Sequence, residues 1–184
     1  GRNGSIWYSE KSEDILCSIM LESRHKNLSE LLIIASLAVV YTLEKILHNQ
    51  NISIKWPNDV LVNQNKIAGV IAESSSKTFS NFSLAVVGIG LNVNLKCRGN
   101  IKLPINTTSI AEITDKKVSR LEIFELLLIN FDLLFAKLNK NQDIISEWKK
   151  YLNSIGKRVS FNLKNSNDLQ IGIVEDIDEL GRLI

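Results

Sequence analysis

Lys55-Trp56-Pro57-Asn58-Asp59-Val60, Lys66-Ile67-Ala68-Gly69-Val70-Ile71-Ala72-Glu73 and Val87-Gly88-Ile89-Gly90-Leu91-Asn92-Val93-Asn94 are the three segments whose reading decides the fold. Each sets apolar residues at strand spacing, with small or polar residues where a strand normally carries bulk. In Ile52-Ser53-Ile54-Lys55-Trp56 the alternation puts Ser53 and Lys55 on the face opposite the apolar residues. Pro57 biases Trp56 towards extended backbone, and Pro57-Asn58-Asp59 then reads as a turn. Leu61-Val62 followed by Asn63-Gln64-Asn65 predicts a hairpin, which sets Lys66 at the mouth of the next strand. On that strand Gly69 and Ile71 share a face.

In the third segment Gly88, Gly90, Asn92 and Asn94 fall on one face, and Ile89, Leu91 and Val93 on the other. Two glycines on one face leave room for another group to lie against the backbone. Asn92, next along, offers two donors and an acceptor. The Gly-x-Gly is not the dinucleotide fingerprint, because Val93 stands where a third glycine belongs. There is no Walker lysine either.

The totals bound the rest. A chain of 184 residues suits one medium domain, or one domain with a small appendage. With 45% hydrophobic and 23% charged residues it is globular in composition. A net charge of +2 gives no argument for nucleic acid or an acidic membrane surface as partner. Leu31 to Tyr41 is apolar except for Ser36, yet far short of the ~20 residues of a spanning helix. No secretory signal is visible. Cys17 and Cys97 make no disulfide framework, which points to thiols in a reducing, cytoplasmic compartment. The first residue is Gly1, and sequence upstream of it is expected.

Taken in order, Gly1-Arg2-Asn3-Gly4-Ser5 reads as a glycine-rich loop. It is either a simple turn or a device in which backbone N–H groups and one guanidinium close over an anion. Ile15 to Leu21 predicts a buried strand. Asn27-Leu28-Ser29-Glu30 resembles a capping box, and Leu31, Ile34, Ala35, Ala38, Tyr41 and Thr42 follow at helical spacing to about Leu47. His25 and His48 are isolated and read as surface residues. Leu95 to Asn106 lacks periodicity and predicts a loop near the site. Ser109 to Glu112 has capping-box spacing and starts a short helix, and Ser119 to Glu122 repeats that signature more strongly. The second helix has a broad apolar face from Ile123 through Phe131 to Leu138. Asp143 to Leu152 predicts a further helix with Trp148 and Tyr151 inward. After Gly156 the pattern changes to short strands, Val159 to Leu163 and Leu169 to Ile177, with a turn at 165–168.

The three ordered motifs, with Gly1-Arg2-Asn3-Gly4 and Trp7 upstream, resemble the catalytic core of biotin protein ligases over nearly the whole chain. The resemblance implies an α+β fold, with a mixed, mostly antiparallel sheet packed with helices, like class II synthetases. Residues 1–154 would form this catalytic domain, and 155–184 the start of a small, incomplete SH3-like β-barrel. It implies an ATP-dependent biotin–[acetyl-CoA-carboxylase] ligase. Such an enzyme activates biotin as biotinyl-5′-AMP and transfers it to a lysine of the biotin carboxyl carrier protein. The cofactors implied are ATP and Mg²⁺, and a homodimer is the assembly the family suggests.

Joining a carboxylate to ATP requires a cation that meets both the carboxylate and the α-phosphate, and Mg²⁺ to neutralise the departing pyrophosphate. By motif position Lys66 is that cation, with Arg2 as the second catalytic residue. The resemblance assigns biotin binding to Gly1, Arg2, Asn3, Lys66, Gly69, Ile71, Gly88 and Gly90. It assigns ATP to Trp7, Lys55, Asn58 and Asn92, with Asn92 also facing the metal. Trp7 would cover the adenine ring, though core packing is its other reading. Asp59 reads as fixing its turn. Ser5 departs from the family, which often has a second arginine there. The alternatives are a lipoate or octanoate protein ligase, a biotinyl-adenylate-binding transcriptional regulator, and an inactive homologue. A regulator would need a DNA-binding domain that the chain itself does not encode. The Lys-Trp-Pro-Asn-Asp and Gly-Ile-Gly-Leu-Asn motifs favour biotin.

Overall fold

A computed structural model describes residues 6–23, 27–74, 83–104, 106–162 and 169–184. The alternating segments become strands β1 (Ile15–Ser23), β2 (Ile52–Lys55), β3 (Asp59–Val62), β4 (Asn65–Ser74) and β5 (Ser83–Leu91). They form one five-stranded sheet in the order β1-β5-β4-β3-β2. All four pairings are antiparallel. The hairpin expected at 63–65 is present, but Asn65 already belongs to β4, and Asn63 and Gln64 are both at positive φ, as a tight two-residue connection requires.

One face of the sheet carries helix α1 (Leu28–Ile46), whose Leu31, Ile34, Leu37 and Ala38 are fully buried. Asn27 caps it, its side chain accepting from the Ser29 N–H. Helix α3 (Arg120–Asn139) packs on α1 through Ile123, Leu127, Phe131, Leu134 and Leu138. Between them, Asn130 donates to the Thr42 hydroxyl, so the two buried polar groups satisfy each other. Short helix α4 (Ile145–Lys149) packs beside α1, while α2 (Ile110–Thr114) is tied to the chain just past β5, its Ile110 and Ala111 N–H groups donating to the Asn92 and Val93 carbonyls. The helix expected over Asp143 to Leu152 is thus one short segment; Leu152 instead bridges to Ile54 as an added edge of the sheet. Trp148 is buried as expected, donating its indole N–H to Ser36.

Two expectations need correction. Strand β1 is an edge strand, not a buried one, and Leu16 and Met20 on its front face are 59% and 70% exposed. Glu112 does not close a capping box. Ser109 caps α2, but the Glu112 carboxylate accepts from the N–H groups of Cys97 and Arg98, tying down the loop before it.

Beyond residue 155 the described residues form a two-stranded sheet, β6 (Arg158–Asn162) with β7 (Leu169–Ile173), and a bridge between Ile177 and Leu183. No closed barrel is built from these described residues; the turn expected at 165–168 and His25 lie outside them.

Candidate active site

The front face of the sheet is defined by missing volume. Gly69 on β4 stands directly across from Gly90 on β5, and Ile71 across from Gly88. Strand β1 continues the row, with Leu16 across from Gly90 and Ser18 across from Gly88. Over these backbones lies a cavity of about 520 Å³ whose lining includes Trp7, Ser18, Asp59, Lys66, Ile71 and Pro104.

The indole of Trp7 lies on the glycine pair. A Cβ added at Gly90 would sit 2.8 Å from Trp7 Cε2, and one at Gly69 would sit 3.0 Å from Trp7 Cζ3. The third glycine makes room for a different neighbour, since a Cβ at Gly88 would sit 2.8 Å from Ile71 Cγ1. Only glycine allows both approaches without displacement. The Trp7 N–H is buried and finds no acceptor among the described residues.

Lys66 reaches the cavity because β4 carries a bulge. The register pairs Val60 with Ala68 but Leu61 with Lys66, so Ile67 is the extra residue. Strict alternation would place Lys66 on the core side with Ala68 and Val70. The bulge sends Ile67 into the core and Lys66 to the front. There its Nζ lies 2.6 Å from Asp59 Oδ1 and 5.5 Å from the centre of the Trp7 ring. Its backbone is held on the other side by residues 106–108, the Lys66 N–H donating to Asn106 and the Thr108 N–H to Lys66. Asp59 therefore does more than fix a turn; its carboxylate is the ion-pair partner of Lys66. No feature of the local sequence reveals that pairing, which depends on the β3–β4 register.

Of the other expected site residues, Asn58 lines the cavity, with its side-chain amide donating to the Val70 carbonyl and its own carbonyl accepting from the Val70 N–H. Lys55 is exposed beyond the cavity on β2. Asn92 lies beneath the site, 2% exposed, and commits its amide donor to the Thr108 carbonyl. It does not line the cavity, so its geometry is that of a latch between β5 and residues 107–111. Gly1, Arg2 and Asn3 lie outside the described residues, as do Gly4 and Ser5. The β1 residues Leu16, Cys17 and Ser18 also line the cavity, a contribution readable only once β1 is paired with β5.

The thiol of Cys17 is pushed up from its ordinary range by burial, and that of Cys97, beneath the neighbouring loop, by burial and then by Glu112, to about 12. Neither is a ready nucleophile. Behind the site, burial raises the carboxyl of Asp14, against hydrogen bonds from Ser9 and the Val93 N–H. Among the described residues no three His, Cys, Asp or Glu side chains group as a metal cage. Asp59 is the carboxylate among the cavity-lining residues described.

This arrangement offers one ammonium, paired with one carboxylate, beside a glycine-floored apolar slot. It suits a ligand that combines a flat apolar body with a carboxylate.

The model of the biotin/lipoate A/B protein ligase family matches residues 1–94. Over the full chain, the bifunctional ligase/repressor BirA of Bacillus spizizenii is 26% identical, and the chain spans 57% of that relative's length. The biotin–[acetyl-CoA-carboxylase] ligase of Mycobacterium tuberculosis is 27% identical over the full chain, which spans 67% of it. Among solved structures, a biotin protein ligase from Aquifex aeolicus in complex with biotin and ATP superposes with a TM-score of 0.82. It is 27% identical, covering 100% of this chain and 75% of that one.

Proposed function

The chain belongs to the biotin/lipoate A/B protein ligase family, and from that premise we propose that it is an ATP-dependent biotin protein ligase. Its carrier would be the biotin carboxyl carrier protein of acetyl-CoA carboxylase. The observation that carries the reading is the Lys66–Asp59 pair at the rim of a cavity floored by Gly69, Gly88 and Gly90. The printed names of the Mycobacterium tuberculosis relative and of the Aquifex aeolicus structure, both matched over the whole of this chain, support biotin over lipoate.

In the first half-reaction a biotin carboxylate oxygen attacks the α-phosphorus of ATP, forming biotinyl-5′-AMP and releasing pyrophosphate. Lys66 exchanges Asp59 for the incoming carboxylate, then follows the oxygens as they become a mixed anhydride, which a point charge on a flexible stem can do. Loop residues 106–108 hold the lysine backbone, so only the side chain moves. The fused rings lie on Gly69 and Gly90 where the Trp7 indole now packs, so ring and indole exchange places; Trp7 then becomes free to cover the adenine. In the second half-reaction a carrier lysine amine attacks the acyl carbon and AMP leaves. Arg2, Gly1 and Asn3 are proposed to close over the intermediate, with Asn58 near the phosphates.

Mg²⁺ when bound neutralises the pyrophosphate. Asp59, the carboxylate among the described cavity-lining residues, would hold it, since Mg²⁺ is commonly bound by one or two carboxylates plus substrate phosphates. A cytoplasmic location, a homodimer and a C-terminal SH3-like domain are part of the same proposal. No helix among the described residues is long and apolar enough to cross a membrane.

ATP–pyrophosphate exchange, run separately with biotin and with lipoate, tests this. Biotin-dependent exchange followed by labelling of a carrier domain is the expected outcome. Exchange with lipoate alone, or tight biotin binding without exchange, would overturn it.

A further inference from the structure

The segment at 174–184 returns to the main core and meets the turn that carries Asp59. The indole N–H of Trp56 donates to the Gly181 carbonyl at 2.9 Å, across a separation of 125 residues. Gly181 is at φ +72°, and a Cβ there would sit 3.2 Å from Ile33 Cδ1 and 3.5 Å from Trp148 Cζ3. A side chain would therefore lift this carbonyl away from Trp56.

The carbonyl is also held from its own side. Asp178 Oδ1 accepts from the Leu180 and Arg182 N–H groups, and Oδ2 from the Arg182 guanidinium at 2.6 Å. The Gly181 N–H donates to the Asp178 carbonyl. Residues 178–182 thus form a closed clasp that presents one acceptor in one direction. The clasp is anchored by Ile177, which is buried in the main core.

On the receiving side, Trp56 is followed directly by Pro57, Asn58 and Asp59. The turn is pinned again by the Asn58 bonds to Val70. It delivers the Asp59 carboxylate to Lys66 at 2.6 Å. A carboxylate three residues from a tethered indole, on a short turn, has little freedom of its own.

We propose that Trp56 is a positioning residue: its bond to Gly181 sets the Asp59 carboxylate against Lys66 and thereby couples the 174–184 segment to the reaction centre. The proposal deepens the ligase reading and rests on it for its catalytic consequence, but its structural half stands without it. The clasp holds the indole, the indole holds the turn, and the turn keeps the lysine amine paired until a substrate carboxylate replaces Asp59.

The test is a mutational cycle read by the rate at which an acetylating reagent modifies Lys66 in the full chain, followed by peptide mass spectrometry. A hydrogen-bonded, paired amine is shielded from such a reagent. Trp56→Phe keeps an aromatic ring and removes the donor; it should raise Lys66 modification about fivefold, the equivalent of one net hydrogen bond. Asp59→Asn should raise it at least as much, and Trp56→Phe with Asp59→Asn no further than Asp59→Asn alone. Asp178→Asn, which loosens the clasp from the other side, should act in the same direction and serves if Trp56→Phe does not fold. In pyrophosphate exchange Trp56→Phe should lower kcat while leaving KM for biotin unchanged. Unchanged Lys66 modification in both Trp56→Phe and Asp178→Asn, or multiplying effects of Trp56→Phe and Asp59→Asn, would overturn the proposal. If the wild-type chain shows no exchange, the ligase reading fails while the modification rates still decide the coupling.

Discussion

The two faces of one sheet are built on opposite principles. On the back, Val87, Ile89, Leu91, Ala68 and Val70 are buried against α1, and stability comes from filling space. On the front, the alternate residues of the same strands are Gly88, Gly90 and Gly69, and space is kept open for Trp7 and for a ligand. Because strand side chains alternate, β4 and β5 serve both purposes at every second residue. Stability and chemistry are thereby separable along a single strand.

The sharpest way to break that separation is at Lys66. Its ion pair with Asp59 is partly solvated, with side chains 35% and 25% exposed, so it adds little to stability. Lys66→Met should leave the melting temperature nearly unchanged yet lower biotin-dependent pyrophosphate exchange by about 10²–10³-fold, the scale for losing one charge-stabilising group. Undiminished exchange would remove Lys66 from the reaction.

Ile89→Ala tests the opposite face. Ile89 is buried in the back-face core between two front-face glycines in sequence. Its truncation should destabilise the fold by about 2–5 kcal/mol in denaturant unfolding, while the exchange rate per folded molecule stays within a few-fold of wild type. A large loss of activity with little loss of stability would show that the faces are not independent.

Gly90→Ala lies between these. The new methyl group would press on Trp7 Cε2 from 2.8 Å, and overpacking of this kind costs about 1–3 kcal/mol where neighbours cannot move. Trp7 can move, so the smaller end of that range is expected, along with greater acrylamide quenching of Trp7 fluorescence and weaker biotin binding. Unaltered quenching would mean that the indole does not rest on this glycine.

Much of this was legible early. The caps at Asn27, Ser109 and Ser119, the apolar stripe of α3 and the hairpin at Asn63-Gln64 all depend on neighbours within a few residues, and each lies where local pattern places it. The glycine face was legible for the same reason, since period-2 parity is a local property. What local reasoning missed has long-range causes. Leu16 and Met20 look like core residues until β1 is known to be an edge, and the bond that commits the Asn92 amide to Thr108 exists only once residues 107–109 fold over it. The break at Leu152, too, follows from its bridge to Ile54 nearly a hundred residues away.

The amino-acid sequence by itself determined which residues could floor an apolar slot and which amine could serve it, because glycine's missing side chain and lysine's charge belong to the residues wherever they are placed. Only the tertiary structure decided that the amine faces the slot. Parity alone would bury Lys66, and it is the extra residue in the β3–β4 register that turns it towards Asp59 and Trp7. A bulge exists only between two paired strands, so its effect is visible in neither strand alone.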